Sequence, residues 1–215
     1  GSLRGQSWMY LDLHLHTRRY SPCSNLDPKD MVKRALELGI DGLAIVEHHV
    51  VWSKEEVLRL KEQTEAGSLV ILRGQEITAY TEDGIFHGDI LTFGFEGSYP
   101  QHPSTEEIIR LVHEAGGIAI AAHPFRWGYG HGEDVYRYGF DAIEVYNPNY
   151  HLLDVKKAEQ AVEAMGIAGI GGSDAHDAKQ VAVYLTEFSQ WVDSEDALIA
   201  EVRARRCRPV RYEDI

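Results

Sequence analysis

The sequence concentrates imidazole and carboxylate side chains at a few points along the chain. It has eleven histidines among 215 residues, and several stand beside acidic residues just after short apolar segments. Imidazole nitrogens and carboxylate oxygens are ligands of zinc, manganese and iron, so these groups predict a divalent-metal site. The candidate residues are His14, His16, Glu47, His48, Glu76, His87, His123, Asp174 and His176.

Two of these groups share the same spacing. His14 and His16 are two residues apart in an apolar segment, so in a strand both rings project from one face, with Asp12 on the same face. Asp174 and His176 repeat the spacing after two glycines that allow a sharp turn and a close backbone approach. A single His-x-His pair is also typical of surfaces and ordinary strands. The number of such groups is what favours a metal site.

The elements that must position these residues follow an alternating pattern. Short apolar segments alternate with amphipathic ones, which is typical of an α/β fold with a mainly parallel sheet. Strands are predicted at 9–13, 42–46, 69–72, 118–122, 142–145, 167–171 and 181–185, and helices at 28–38, 54–65, 105–114, 152–165 and 194–205. Residues 85–93 break the alternation and, after a turn signal at 81–84, predict an inserted hairpin. The candidate ligands fall at the downstream ends of strands, where parallel α/β folds build their sites.

Bulk properties narrow the class of protein. The length predicts one domain spanning 1–215, with Gly1-Ser2 interpreted as the remnant of a cleaved expression tag. A net charge of -13 disfavours binding to long nucleic acid, which needs dense Lys and Arg. No membrane span or leader is predicted, so a cytosolic location is expected. The two cysteines, Cys23 and Cys207, are expected to be reduced thiols.

Six short motifs carry a resemblance to a known family over nearly the whole chain. They are Asp12-Leu13-His14-Leu15-His16-Thr17, Val46-Glu47-His48, Gly74-Gln75-Glu76, His87-Gly88, Ala122-His123-Pro124 and Ser173-Asp174-Ala175-His176. In order and separation they resemble the polymerase and histidinol phosphatase (PHP) domain family, in its stand-alone metal-dependent phosphoesterase branch. The resemblance implies a distorted (β/α)7 barrel with two or three divalent metal ions at the C-terminal ends of the strands.

The resemblance also implies roles for individual residues. It assigns one metal to His14, His16, Glu76 and Asp174, a second to Glu76, His87 and His123, and a third to His48 and His176. Glu76 would bridge the first two ions, and Glu76, Asp174 and His176 are the predicted catalytic residues. Zinc, manganese and iron all suit this ligand set.

Two departures from the family pattern affect this assignment. Pro22 stands where family members commonly carry an Asp or His ligand of the third metal. Cys23 or Asp27 could supply the missing ligand, although an inert packed thiol is the alternative interpretation of the cysteine. Glu47 replaces the usual Asp before His48, and since neighbouring strand residues face opposite ways, it is expected to support the ligands.

The predicted function is hydrolysis of a small phosphomonoester, such as a nucleotide or sugar phosphate, by a metal-activated water. Arg126 and Arg18 are the predicted phosphate-binding residues. One alternative is a phosphodiesterase or short-oligonucleotide nuclease. Another is a non-catalytic metal- or nucleotide-sensing module. The oligomeric state is left open.

Further residues near the motifs have two interpretations each. Asp12 and Glu144 are expected to orient imidazoles, and Asn147 and His151 could contact the substrate. A group of aromatic residues could stack on a base, although packing is the favoured interpretation. These are Trp52, Trp127, Tyr129 and Tyr146.

Overall fold

The computed structural model describes residues 8–215, so the predicted tag remnant Gly1-Ser2 lies outside the described residues. The strands are β1 (Met9–Leu15), β2 (Gly42–His48), β3 (Val70–Tyr80), β4 (Phe86–Phe93), β5 (Ile118–Ala122), β6 (Ala142–Tyr146), β7 (Ala168–Gly171), β8 (Tyr184–Phe188) and β9 (Cys207–Arg211). The α-helices are α1 (Pro28–Leu38), α2 (Lys54–Gln63), α3 (Thr105–Glu114), α4 (Leu152–Met165) and α5 (Glu195–Arg203).

Within residues 8–215, nine strands form one sheet in the order β7-β6-β5-β4-β3-β2-β1-β8-β9. Strands β1 to β3 are parallel, as are β5 to β7, whereas β4 and β8 run against their neighbours. The sheet curls until β7 lies beside β1 and β8. A bridge joins Leu15 to Ala175, and the Thr186 hydroxyl donates to the Gly171 carbonyl at 2.8 Å. The prediction of an α/β barrel is confirmed, in a nearly closed form.

The strand count and several strand limits differ from the sequence-based expectation, and β3 extends to Tyr80 instead of ending at 72. The predicted strand at 181–185 begins only at Tyr184, because residues 181–183 form a turn in which Ala182 has a φ of 67°. Strand β9 was not predicted, since it is a partly exposed edge strand with Pro209 at its centre and no apolar run. The hairpin was predicted, and β3 and β4 form it around the expected turn at 81–84.

The helices begin and end where local chemistry requires. Asp27 caps α1 by accepting from the Lys29 amide, and Gly39 ends that helix in the left-handed conformation with a φ of 71°. Ser53 and Ser104 form capping boxes at the starts of α2 and α3. No α-helix in the described part of the chain is long and apolar enough to cross a bilayer.

An apolar cluster fills the barrel and supports the site. Leu11, Leu72, Phe93, Ile120 and Ile170 belong to it, and all are buried. Further along these strands, toward their carboxyl ends, the inward residues become polar. The fold therefore places the candidate ligands on top of a rigid apolar layer.

Candidate metal centre

Five buried side chains from different strands converge at the mouth of the barrel. His14 lies on β1 and Glu76 on β3, while His16, His123 and Asp174 lie just after β1, β5 and β7. None of the five is more than 6% exposed. Residues separated by as much as 160 positions along the chain are thus brought to one place.

Four of these residues present one atom each to a common point, and we call them the inner group. His16 Nε2 lies 3.0 Å from Glu76 Oε1 and 3.4 Å from Asp174 Oδ1. His14 Nε2 lies 3.5 Å and 3.3 Å from the same two oxygens. Ligand atoms placed tetrahedrally about 2.1 Å from one ion lie roughly 3.4 Å from each other. The inner group therefore has the spacing of a four-ligand metal position.

The second oxygen of Glu76 faces a different histidine. Glu76 Oε2 lies 3.5 Å from His123 Nε2, and His14, Glu76 and His123 form a second group with ligand atoms within 4.8 Å of one another. Glu76 thus directs one oxygen to each of two adjacent positions. This is the arrangement of a carboxylate that bridges two cations.

A third set of ligand atoms lies at the solvent side, and we call it the outer group. His16, His48 and His176 have ring nitrogens within 4.8 Å of one another. The side chains of His48 and His176 are 33% and 32% exposed. His176 Nδ1 lies 2.7 Å from the Asp174 carbonyl, so it donates there and leaves Nε2 free to bind a cation.

Several buried polar atoms of the site lack hydrogen-bond partners among the described residues. They are His14 Nε2, both ring nitrogens of His16, Glu76 Oε2 and His123 Nδ1. The short nitrogen–oxygen distances given above therefore do not have hydrogen-bond geometry. Buried polar groups are normally paired, so a cluster of unpaired donors and acceptors calls for a partner of another kind. The donor set fits divalent metal ions, and we interpret the cluster as a metal centre.

The electrostatics of the site agree with this interpretation. Burial opposes the charge on the His14 and His16 rings, yet the surrounding carboxylates raise the pKa of His16 to about 9 and that of His14 well above its usual range. Burial likewise opposes the Glu76 carboxylate, but the histidines hold its pKa well below normal. The carboxylates thus attract positive charge, which protons supply when no metal is bound. Metal binding must displace those protons.

The backbone at two of the ligands is strained. His123 and Asp174 have φ values of 29° and 50°, in the left-handed region that residues with a Cβ seldom occupy. Gly172 packs so tightly that a Cβ there would lie 2.5 Å from the His14 Cβ. The close approach expected from the paired glycines is confirmed. Such strain is maintained where it serves a site.

A buried carboxylate on β6 supports the inner group from behind. Glu144 Oε2 lies 2.6 Å from His14 Nδ1, while its Oε1 accepts from the His123 amide at 3.0 Å and from Asn147 Nδ2 at 2.8 Å. The bond to Nδ1 leaves the Nε2 of His14 directed toward the inner group. Asn147 also lies 3.4 Å from Asp174 Oδ2, so it links two of the supports and is buried away from open solvent.

Asp12 does not orient an imidazole, which corrects the expectation from spacing. A register shift in the β1–β2 pairing between Asp12 and Leu15 breaks the strict alternation of strand faces. The buried Asp12 carboxylate instead accepts backbone amides of Ser173, Ala182 and His14. It fixes the Asp174 loop against β1.

Glu47 is enclosed by donors and supports the first motif, as expected. Its two oxygens accept from the Thr17 amide and hydroxyl, the Ser21 hydroxyl and the Trp52 indole nitrogen. It is fully buried and has no capacity left for a metal. Trp52 is thereby a packed structural residue.

His87, a predicted ligand of the second metal, lies in a different environment. The β3–β4 pairing changes register between Ala79 and Tyr80, which leaves His87 as the extra residue of a β-bulge. A bulge re-aims the side chain that it carries. His87 Nε2 lies 2.8 Å from Asp134 Oδ2, and its Nδ1 lies 3.2 Å from Thr105 Oγ1. The metal assignment of His87 is therefore corrected: the structure does not bring it into any of the three groups.

Asp89, two residues further along β4, is a site residue that the sequence reasoning missed. It is 8% exposed and pairs with Thr78, whose hydroxyl donates to Asp89 Oδ1 at 3.0 Å. Burial, and after it the charge of Glu76, raises the pKa of Asp89 to about 7. Asp89 therefore lies within electrostatic reach of Glu76 and His123. Asp89 was not predicted because the sequence does not specify the register of the β3–β4 hairpin.

The two predicted phosphate-binding arginines differ in whether a carboxylate already pairs with the guanidinium group. Arg18 Nη2 forms a 2.6 Å ion pair with Asp27, which also caps α1, so both groups already have partners. Arg126 lies in the loop after β5, with its guanidinium 4.2 Å from the centre of the Tyr129 ring. No carboxylate within residues 8–215 pairs with Arg126.

The remaining predicted residues lie at the rim or outside the centre. Trp127 is 94% exposed and Tyr146 packs under Arg211, whereas His151 begins α4 at the surface. Cys23 is an exposed free thiol in the loop after the first motif. None of these side chains belongs to the three groups of ligand atoms found in the described residues.

Comparison with known proteins identifies the family. The family profile described as PHP domain matches residues 12–159, and a profile described as PHP-associated matches residues 154–207. The second segment contributes β7, β8 and α5 to the same barrel.

Two curated relatives share part of this sequence. The uncharacterised protein MJ1587 of Methanocaldococcus jannaschii is 30% identical over 154 residues, which cover 66% of this chain and 84% of that protein. The error-prone DNA polymerase of Cutibacterium acnes is 35% identical over 69 residues, which cover 32% of this chain and only 6% of the polymerase.

Solved structures share the fold at lower sequence identity. PsfC from Pseudomonas syringae superposes with a TM-score of 0.70 at 18% identity, covering 95% of this chain and 92% of PsfC. An amidohydrolase from Chromobacterium violaceum, solved with bound sulfate and without metal, gives 0.64 at 17% identity, covering 94% and 98% of the two chains. Since the PHP domain profile covers more than half of the residues and contains the first ligand motif, Glu76 and His123, this chain belongs to the PHP domain family.

Proposed function

We propose that this protein is a metal-dependent phosphoesterase that hydrolyses small phosphomonoesters. The observation that carries the proposal is the inner group, whose four ligand atoms are spaced for one ion while Glu76 directs its second oxygen to an adjacent position. Membership of the PHP family and this donor set support a metal-dependent hydrolase. One structural neighbour, from Bifidobacterium adolescentis, was described as a candidate metal-dependent phosphoesterase, and it superposes with a TM-score of 0.63 at 17% identity, covering 91% of this chain and 96% of that one.

The residues of this chain would hold the ions and keep their geometry fixed. His14, His16, Glu76 and Asp174 would bind one ion, and Glu76 with His123 a second. Glu144 keeps the His14 ring oriented through its 2.6 Å contact with Nδ1. When bound, divalent ions lower the pKa of water and neutralise charge on phosphoryl oxygens.

The loop after β5 is the proposed binding site for the phosphoryl group. Arg126 follows His123 by three residues, and its amide donates to the His123 carbonyl at 3.0 Å, so the loop is tied to the ligand. A guanidinium suits phosphate because its donors match two oxygens at once. The neighbouring Tyr129 ring holds the guanidinium from one side. We expect Arg126 to contact phosphate and Arg18 to contribute little.

The charge of the protein favours small substrates. A net charge of -13 repels long polyanions, whose binding depends on many Lys and Arg contacts. A phosphomonoester presents its charge only at the metal centre. A nucleotide or sugar phosphate is therefore the proposed substrate class.

The test is phosphate release by the chelator-treated protein before and after addition of manganese or zinc. We expect hydrolysis of p-nitrophenyl phosphate only with metal, and slower hydrolysis of bis(p-nitrophenyl) phosphate. Preference for the diester would replace the proposal with a phosphodiesterase. Absence of turnover with either ester and with a panel of nucleotide and sugar phosphates, in protein that has bound metal, would overturn the catalytic proposal and leave a sensing module.

The phosphate-binding proposal has a matched pair of variants. Arg126→Ala should raise KM for the monoester by roughly 10-fold or more, because a charge-assisted contact is lost, whereas Arg18→Ala should change it little. An equal effect of the two substitutions would contradict the assignment.

A further inference from the structure

We propose that Asn147 and Asn149 are positioning residues that hold Asp174 as a one-oxygen ligand of the inner group. We call this pair the amide clamp. Its side-chain amides occupy the second oxygen of the Asp174 carboxylate, so that Asp174 neither binds one ion through both oxygens nor bridges to the second position. This inference rests on the metal-centre part of the proposed function. It concerns how one ligand binds and adds no ion to the site.

The two oxygens of Asp174 face different partners. Oδ1 lies 3.3 Å from His14 Nε2 and 3.4 Å from His16 Nε2, which places it in the inner group. Oδ2 lies 3.4 Å from the Nδ2 atom of Asn147 and 3.4 Å from that of Asn149. A carboxylate oxygen has about two lone-pair sites. Two amide donors therefore leave Oδ2 without a free site for a cation.

The neighbours of the Asn147 amide determine its orientation. Its Oδ1 faces two N–H donors, the backbone amide of Asn149 at 2.9 Å and the Asn149 Nδ2 at 3.1 Å. Its Nδ2 faces two carboxylates, Glu144 Oε1 at 2.8 Å and Asp174 Oδ2 at 3.4 Å. Exchanging the oxygen and the nitrogen would set donors against donors and acceptors against acceptors. The Asn147 amide therefore donates to Asp174.

The sequence Asn147-Pro148-Asn149-Tyr150 forms the turn that positions both amides. The Tyr150 amide donates to the Asn147 carbonyl at 3.0 Å, which closes a four-residue turn with Pro148 at its second position, where proline is favoured. The bond from the Asn149 amide to Asn147 Oδ1 adds an Asx-turn. The Tyr150 hydroxyl donates to the Glu144 carbonyl at 3.1 Å and attaches the turn to β6. Local bonds thus hold the amides in place without a bound ion.

The two asparagines differ in exposure and in their further contacts. Asn147 is 2% exposed, and its Nδ2 also donates to Glu144, which contacts His14. Asn149 is exposed, and its side chain contacts Asn147 and Asp174. Asn149 is therefore the residue whose substitution tests the amide clamp without removing a contact of Glu144.

One-oxygen binding keeps a position open at the inner group. Catalytic ions need such a position for water or substrate. A carboxylate that used both oxygens on one ion would fill it. Oδ2 lies 3.9 Å from His123 Nε2, so without the amides Asp174 could turn toward the second position and bridge beside Glu76. The amide clamp leaves Glu76 as the bridging carboxylate.

Cobalt(II) reports this difference, because its visible absorption is strong in four-coordinate sites and weakens as ligands are added. The chelator-treated full chain is reconstituted with cobalt, and absorption per bound cobalt is compared for the unmodified protein, Asn149→Ala and Asn149→Leu. Leucine removes the donor but keeps a similar shape, so it separates loss of the hydrogen bond from loss of volume. We expect weaker absorption per bound cobalt in both variants, and phosphate release lower by roughly 10-fold.

Asn25→Ala is the matched control. Asn25 is also an exposed asparagine, in the loop after β1, but it reaches the other end of the metal centre through its backbone, whose amide donates to the His176 carbonyl at 2.9 Å. Its absorption per bound cobalt should equal that of the unmodified protein. Unchanged absorption per bound cobalt in Asn149→Ala and Asn149→Leu, even with some loss of cobalt, would overturn the inference, as would an equal change in Asn25→Ala.

Failure of this inference differs from failure of the proposed function, because the absorption does not depend on turnover. Phosphate release with a cobalt spectrum that is insensitive to Asn149 would retain the phosphoesterase and remove the amide clamp. A spectrum that changes in the Asn149 variants, in protein without turnover toward any phosphoester, would retain the amide clamp and remove the hydrolase.

Discussion

Two clusters of histidines lie on opposite sides of the same sheet, and they differ in the hydrogen-bond partners of their ring nitrogens. In the barrel mouth, His14 Nε2, both nitrogens of His16 and His123 Nδ1 have no hydrogen-bond partner in residues 8–215. Outside the barrel, both nitrogens of His87 have polar partners, Asp134 and Thr105. His131 shares the Thr105 hydroxyl at 2.8 Å.

The surroundings of the ring nitrogens distinguish a ligand histidine from a structural one. His87 and His131 share the Thr105 hydroxyl, and only Nδ1 of His131 lacks a hydrogen-bond partner among the described residues of this cluster. Burial lowers the pKa of His131 to about 3, which keeps its ring neutral. The barrel-mouth histidines instead face several carboxylates and have raised pKa values at His14, His16 and His123. Several unpaired nitrogens that converge on shared carboxylates indicate a missing cation, whereas one unpaired nitrogen on a neutral ring, as in His131, does not.

The largest effect is expected from Glu76→Gln, which removes the carboxylate shared by the inner positions. Metal content and phosphate release should both fall by more than the roughly 100-fold that loss of a supporting residue costs. The fold should persist, since the apolar layer below the site is unchanged, and circular dichroism checks this. Near-normal metal content by elemental analysis would rule out Glu76 as the bridge.

Glu144→Gln should weaken metal binding without abolishing it. The amide can still contact the His14 ring but carries no charge, so metal affinity should fall by about 10- to 100-fold. Competition with a chelator measures the affinity. Glu201→Gln is a suitable control, because Glu201 is also a buried carboxylate but lies on α5 and pairs with Arg206. Equal losses in both variants would show that buried charge in general, and not the contact with His14, is responsible.

The stability of the metal-free protein should depend on pH in a direction set by the barrel-mouth cluster. The folded-state pKa of His16 is raised to about 9 from an ordinary value of 6.5, so its contribution is complete below pH 6.5 and is lost as the pH rises through 9. Asp89, whose pKa is raised from 3.8 to about 7, acts in the same direction but over the lower range from pH 3.8 to 7. From His16 we expect the free energy of unfolding to decrease by roughly 3 kcal/mol between pH 6.5 and 9.

Metal should suppress this pH dependence, because metal-bound imidazoles are already deprotonated. Thermal unfolding of chelated and metal-loaded protein at several pH values between 6 and 10 makes the comparison. A chelated protein that gains stability with rising pH would contradict the assigned charge states.

The smallest effect on metal content is expected from the substitution His87→Asn. The substitution breaks the contacts with Asp134 and Thr105 and should lower stability by about 1 kcal/mol, while metal content and turnover stay near normal. His123→Asn is the matched variant, just after the neighbouring strand β5, and should lose metal. Loss of metal in both would restore the sequence-based assignment of His87.

The sequence predicted most of the barrel and the main ligands because both leave local signals. Apolar segments followed by His or acidic residues locate strand ends, and the order of motifs indicates the family. The sequence could not show that Asp89, and not His87, lies near the metal centre, because this depends on a bulge in the β3–β4 register. It likewise missed β9, whose partly exposed Arg and Pro residues carry no strand pattern.

The supporting contacts were less predictable than the ligands. The 2.6 Å contact of Glu144 with His14 joins residues 130 positions apart, and no local pattern specifies it. The role of Asp12 also depended on tertiary structure, because a register shift in β1 directs its carboxylate to backbone amides. Periodicity gives the face of a regular strand but not the position of its irregularities.

The most direct test of the metal centre is anomalous X-ray scattering from crystals grown with zinc or manganese, measured at the absorption edge of the metal. We expect a peak among His14, His16, Glu76 and Asp174, with a second between Glu76 and His123. Metal-loaded crystals with peaks only beside His87 and Asp134, or with none in the barrel mouth, would contradict it.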